Sequence, residues 1–222
     1  MAKQVWKPST MLNPVPAVMV SCADKEGKPN IITIAWAGTI NSSPPMVSIS
    51  IRKERYSHAI IRETGEFAIN LTTRDLTFAT DFCGVKSGRD TDKFEAMKLT
   101  PEKASIVNVP LIKESPLNLE CVVKQVIELG SHDLFIAEVV ATNVKEELLD
   151  ENGKLDLKRA DLICYSHGEY FALSKPLGFF GYSVTKRKNL KRADLVRKSG
   201  SRKSGSMKSE NRKSGSGKRK KE

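Results

Sequence analysis

No two cysteines in this chain have C-x-x-C spacing: Cys22, Cys83, Cys121 and Cys164 stand far apart. Neither a structural zinc site nor a thioredoxin-like dithiol therefore has its ligands or its redox partner in place. They read as four reduced thiols, some buried as small apolar side chains. His58, His132 and His167 are spaced as widely, which argues against a three-histidine metal centre. Both G-x-x-x-x-G-K-[ST] and a G-x-G-x-x-G following a strand are missing, so there is no phosphate-binding P-loop and no dedicated dinucleotide fold. No run reaches the roughly 18 to 20 apolar residues of a membrane span. Lys3, Lys7 and prolines interrupt the place where a secretory signal would carry its apolar core. The expectation is a soluble cytoplasmic protein.

What is present is enough for one substantial core: 222 residues, 39% hydrophobic and 28% charged. The net charge of +11 belongs to one end of the chain. Of the 37 Lys and Arg, 16 lie from Thr185 onward with only Asp194, Glu210 and Glu222 against them, leaving 21 basic and 23 acidic side chains before that point. The same end repeats RKSGS at 197–201, 202–206 and 212–216. With so few apolar residues it cannot offset the entropy of ordering, and it reads as a disordered basic tail over 185–222 appended to a domain over 1–184. Such a polycation can contact phosphate backbones or anionic surfaces, or be a solvated extension with no dedicated partner. No aromatic is interleaved for base stacking, which argues against reading of a nucleotide sequence.

Before the tail, runs of β-branched residues predict strands at 17–22, 31–36, 46–51, 66–71, 118–129 and 132–144. Gly130-Ser131 reads as the two-residue loop of a hairpin. Short helices are expected at 57–63, started by Ser57 and stopped at Gly65, and at 74–83. The helix after every strand that a doubly wound sheet needs is missing. The fold class is mainly β, an antiparallel barrel with short helical insertions.

The stretch NIITIAWAGTINSSPPMVSIS (30–50) is the most informative. Ala35, Ala37 and Gly38 would let a flat ligand approach backbone N–H and C=O groups, with Trp36 pointing to the other face. Asn41 to Pro45 reads as the turn that ends this strand and launches the next. Thr33, Ser48, Ser50 and Ser57 supply hydroxyls, and Arg52, Lys53 and Arg55 supply cations. Ser57 at a helix start would favour a phosphate. A flat ring and a phosphate together describe a nucleotide-like cofactor.

The string from Asn30 to Leu71, followed by DFCGVKSGRDTDKF (81–94) and CYSHGEYFALSKPLGFFGYS (164–183), resembles the flavin reductase-like, FMN-binding split-barrel family, in particular its flavoredoxin branch. The resemblance spans Met11 to Ser183 with its segments in order. It implies a homodimer of split β-barrels with one FMN per subunit. On the family pattern, Thr33, Ala35, Trp36, Ala37 and Gly38 would line the ring, while Ser50, Arg52, Tyr56, Ser57 and His58 would hold the ribityl chain and phosphate. Cys83, Gly84, Ser87, Gly88 and Lys93 would close over the cofactor. His132 reads as an exposed turn residue, and His167 as either an ordinary turn histidine or one that faces the flavin or the neighbouring subunit. Cys83 is taken as a contact residue, and no side chain is assigned as catalytic.

The resulting expectation is an oxidoreductase of the flavin reductase or flavoredoxin type, passing hydride or electrons through FMN, with NAD(P)H docking transiently or a protein acting as donor or acceptor. Two alternatives stand beside it. One is an FMN electron carrier without NAD(P)H turnover, and the other is a nucleic-acid-associated protein acting through its basic tail.

Overall fold

The computed structural model describes residues 1–185. The expected tail beyond Thr185 lies outside the described residues. These residues fall into two units, Met1–Leu173 and the described part of Ser174–Glu222. In the second, a single 3-10 turn spans Tyr182–Val184, and the Phe179 and Tyr182 rings meet edge to face at 6.2 Å.

The first unit is built from strands β1 (Val15–Pro16), β2 (Val18–Ala23), β3 (Pro29–Ile34), β4 (Ala37–Ser42) and β5 (Pro45–Arg52), then helix α1 (Tyr56–Thr64) and β6 (Glu66–Leu71). Helices α2 (Thr77–Val85) and α3 (Lys93–Ala96) precede β7 (Pro101–Glu102), β8 (Leu111–Ile112), β9 (Leu117–Glu128) and β10 (His132–Val144). The hairpin β11 (Ile163–Ser166) and β12 (Glu169–Ala172) completes the unit. Seven strands form one antiparallel sheet in the order β3-β2-β6-β9-β10-β5-β4, and β1, β11 and β12 form a second.

The two edges of the seven-stranded sheet, β3 and β4, are consecutive in the chain with only Ala35 and Trp36 between them. So short a link spans roughly 10 Å at most, which brings the edges together at that end and curls the sheet into a barrel. Alternate residues fill it: Val18, Val20 and Cys22 from β2, Val47, Ile49 and Ile51 from β5, with Phe67 and Phe135 among the largest fully buried side chains. Helix α1 adds Ile60 and Ile61 to this core and stops at Gly65, whose φ of 72° and N–H bond to the Ile61 carbonyl form the left-handed cap that glycine allows. Helices α2 and α3 cover the opposite face of β2 and β3 through Met19, Ile31, Cys83 and Phe94. Among the described residues no helix is long and apolar enough to cross a membrane.

The expected strands at 66–71 and 132–144 keep their bounds, and the β9–β10 hairpin pairs antiparallel through Asp133 and Glu128. Three local readings are corrected. Helix α1 begins after Arg55 with no side-chain cap, and Ser57 sits inside its first turn, where its hydroxyl accepts from Asn30 Nδ2 at 2.7 Å. Asn41 and Ser42 do not turn: they continue β4, pairing with Met46 and Pro45, and the turn is Ser43-Pro44 alone. Pro45 tolerates this because it opens a strand beside an edge, where no ladder N–H is required. Finally, the strand expected at 31–36 ends at Ile34 and the chain bends through Ala35 and Trp36.

Candidate functional site

That bend creates the site. Ala35 and Trp36 leave the strand geometry between β3 and β4. Both line one groove of about 430 Å³, together with Thr33, Ser50, Arg52 and His132. The Trp36 ring, 44% exposed, lies against His132 with centroids 4.7 Å apart and planes tilted by 35°. His132, expected to be a free turn residue, is thus part of the groove wall. Its imidazole is held below its ordinary pKa by burial first and by the Arg52 charge second. Its Nδ1 is 2.9 Å from the Ser131 hydroxyl.

Ile32, Glu54 and Arg55 line both this groove and a smaller pocket of about 170 Å³. The smaller pocket takes Tyr56 and Ser57 from the first turn of α1, which carries no acidic residue, and Ser87, Gly88 and Lys93 from the segment after α2. Lys86, Arg89 and Arg55 add cations against the single carboxylate of Glu54. A helix start with free N–H groups, hydroxyls and converging cations is a site for an anion.

The walls are held from below. Lys93, only 4% exposed, donates from Nζ to the carbonyls of Ile31 at 2.6 Å and Cys83 at 2.9 Å. Burial pulls its ammonium down to about 8. Arg55 donates to the Gly84 carbonyl, and the Thr33 hydroxyl donates to the Thr80 carbonyl. Three carbonyls of α2, those of Thr80, Cys83 and Gly84, are therefore tied to residues of the site. Arg89 donates to the Glu54 carbonyl at 3.4 Å and lies 5.5 Å over the Tyr56 ring.

Space requires glycine at position 88 and is tight at position 84. A Cβ at Gly88 would stand 2.0 Å from Asn30 Oδ1, and one at Gly84 would stand 3.3 Å from Thr33 Cβ. Loop 86–89 thus rests directly on the Asn30 side chain that holds Ser57.

Ten of the sixteen residues singled out in the sequence line the groove or the pocket: Thr33, Ala35, Trp36, Ser50 and Arg52 the former, Tyr56, Ser57, Ser87, Gly88 and Lys93 the latter. Six stand elsewhere. Ala37 packs on the barrel core, and Gly38 pairs with Ser48 on the edge strand with no neighbour above it. His58 points inward, with Nε2 2.8 Å from the fully buried Asp133 carboxylate and its ring edge-on to Phe135. Cys83 and Gly84 face the site through backbone carbonyls, and burial pushes the Cys83 thiol up to about 11. His167 forms the β11–β12 turn with φ 48°, its N–H donating to Asn13 Oδ1 at 3.3 Å. Lys53, counted among the cations, pairs instead with Glu128 and Asp133 at 3.3 and 3.4 Å.

The residues that sequence reasoning passed over are Asn30, Ile32, Ile34, Ile51, Glu54, Lys86, Arg89 and His132. Lys86 and Arg89 were legible as the basic flanks of Ser87-Gly88. Asn30 and His132 carried no signal, because each reaches the site only through the pairing of distant strands.

Residues 11–174 match the model of the flavin reductase like domain. The flavoredoxin of Desulfovibrio vulgaris (Miyazaki F) is 31% identical and superposes with a TM-score of 0.77, covering 83% of this chain and 100% of that one. A split-barrel-domain protein of Shewanella frigidimarina NCIMB 400 shares the fold at a TM-score of 0.69 and 23% identity, over 76% of this chain and 87% of that one. A protein of Archaeoglobus fulgidus is 34% identical over 144 residues, 65% of this chain and 80% of its own length. This split barrel belongs to the flavin reductase-like domain family, on its flavoredoxin side.

Proposed function

We propose that this chain is an FMN-dependent oxidoreductase of the flavin reductase or flavoredoxin type, acting in the cytoplasm as a homodimer. The observation that carries the reading is the open groove running into a cation-lined pocket across Arg55. The donor set suits FMN. The groove offers small side chains and strand backbone to a flat ring, and the pocket offers hydroxyls, the α1 N-terminus and cations to one terminal phosphate.

FMN, when bound, supplies hydride and single-electron chemistry at its ring. The chain's own work is to bind and orient. Ser57, Ser87, Lys86 and Arg89 would take the phosphate, with Lys93 and Arg55 contributing charge from the donors that the backbone carbonyls leave free. Thr33, Ala35 and Trp36 would bound the ring, with Ser50 and Arg52 along the groove between ring and phosphate. NAD(P)H would approach over the open side of the groove. The edge strand β4, exposed along its length with Ile40 48% exposed, supports pairing with a second copy.

A second reading, an FMN electron carrier serving protein partners without NAD(P)H turnover, is favoured by the flavoredoxin likeness and by the half-exposed Trp36 beside the groove. A nucleic-acid role for the basic tail concerns residues outside the described ones, and strongly salt-dependent DNA or RNA binding that is lost without 185–222 would support it.

The deciding experiment is the visible spectrum of purified protein given FMN, followed by anaerobic NADH and then NADPH. Bleaching by either establishes a reductase and its donor. A yellow protein that stays oxidised favours the carrier. No protein-bound flavin at all would overturn the FMN assignment.

A further inference from the structure

A second cavity, of about 570 Å³, opens at the other end of α2, where segments 73–79, 97–99, 114–116, 145–148 and 159–161 converge. Its size falls in the ~300–1,000 Å³ range of small-molecule sites. Its floor is apolar: Leu76, Ala79, Leu99, Leu148 and Ala160 are each buried, and Phe78, 76% exposed, stands at its edge.

The rim is charged, and most of the charge is already matched. Arg74 pairs with Asp161 at 2.8 Å and feels the charge of Asp75. Both Glu114 oxygens accept from the Thr100 N–H, at 3.1 and 3.0 Å. Lys145 donates to the Glu114 carbonyl at 3.2 Å and lies 4.0 Å from Glu147. Lys98, Arg159 and Asp75 remain, two cations and one carboxylate on exposed side chains with no ion pair or side-chain hydrogen bond among the described residues, and Asp75 acts electrostatically on Arg74.

The backbone adds an independent observation. Lys98 has φ 52° and Asp161 has φ 49°, two of the three non-glycine residues in the left-handed region among the described residues. Lys98 ends α3, where its N–H bonds the Glu95 carbonyl and the Leu99 N–H bonds the Phe94 carbonyl. Glycine is the residue that favours this cap. A lysine held there, against the conformational preference, places a cation on the rim where the fold alone calls for none.

We propose that this cavity is a second small-molecule site, taking a carboxylate with an aryl or alkyl body. The body lies on the floor formed by Leu76 and Leu148 beside Phe78, and the carboxylate faces the rim cations Lys98 and Arg159. The site is separate from the ring groove, although α2 borders both.

The test uses the full chain, labelled at Ile, Leu and Met methyls for NMR, titrated with 3-phenylpropionate and with the neutral 3-phenylpropanol. The expected result is saturable shifts at Leu76, Leu99, Leu148 and Met97, with the acid bound at least tenfold tighter than the alcohol. Lys98→Gly together with Arg159→Gln should abolish that preference, and Lys98→Gly alone should not lower the melting temperature, because glycine suits φ 52°. Equal binding of acid and alcohol would overturn the proposal. So would an unchanged preference in the double variant, shifts confined to Ile32 and Ile51 of the groove, or no shifts at all. Cavity methyls that respond to protein concentration and not to probe would mean that a second copy covers the cavity, which also overturns it.

Discussion

Glu120 is fully buried on β9, and its two carboxylate oxygens collect four donors. Oε1 accepts from the Ser105 N–H at 2.8 Å and Asn143 Nδ2 at 2.7 Å. Oε2 accepts from the Ile106 N–H at 2.7 Å and the Val107 N–H at 3.1 Å. Burial alone would raise this carboxyl, but the three backbone N–H groups and the Asn143 amide outweigh it and hold the group down to about 2. The Glu120→Gln variant converts one oxygen into a donor. The Asn143 amide can turn to meet it, but the Ser105 N–H cannot. One buried N–H then goes unmet and the charge assistance is lost, together about 3 kcal/mol at pH 7. For a chain of this size that is a fall in Tm of roughly 6–12 °C.

The pH dependence has a definite sign. A folded pKa below the unfolded one contributes stability above pH ~4.5 that disappears as pH falls toward 2. Calorimetric melts of both proteins at pH 7, 4 and 2.5 should therefore show a gap that closes as the solution is acidified. A gap below about 2 °C at pH 7, or one that persists undiminished at pH 2.5, would refute the reasoning.

Other outcomes follow from the site. Gly88→Ala, whose Cβ would stand 2.0 Å from Asn30 Oδ1, should displace loop 86–89 and weaken FMN binding on the order of tenfold, or ~1.4 kcal/mol, measured by quenching of flavin fluorescence. FMN affinity should hold steady between about pH 7 and 8, above the second ionisation of the phosphate at about 6, and decline above 8, because the Lys93 ammonium titrates near 8 before a phosphate arrives and at higher pH afterwards. A flat affinity from pH 7 to 9.5 would count against a phosphate near Lys93. Native protein at pH 8 should react with a thiol reagent at Cys164 first. Cys22 and Cys121 are pushed up to about 12 by burial and Cys83 to about 11, so their thiolates are scarce. Release of all four thiols at one rate would contradict this.

The sequence by itself determined the elements whose cause is local. The alternating apolar residues of β6 and the β-branched run of β10 announced their own bounds, Gly65 and Gly130 marked a helix end and a hairpin, and the lack of helices after strands ruled out a doubly wound sheet. Ser87, Gly88 and Lys93 were singled out only through the family resemblance, and they line the smaller pocket. Strand β4 was not legible, because Ala37, Gly38 and Asn41 have weak strand preference and are held there only by pairing with β5. Hairpin β11–β12 escaped notice for a similar reason, since ICYS and EYFA are too short to declare a period. Which way His58 faces depended on Asp133, 75 residues away, and the place of His132 depended on Trp36, 96 positions earlier in the chain. Only the closed barrel decides these matters. Side-chain direction at a bend, and the partner waiting across it, are properties of strands brought together over long separations, and no residue type at either position records them.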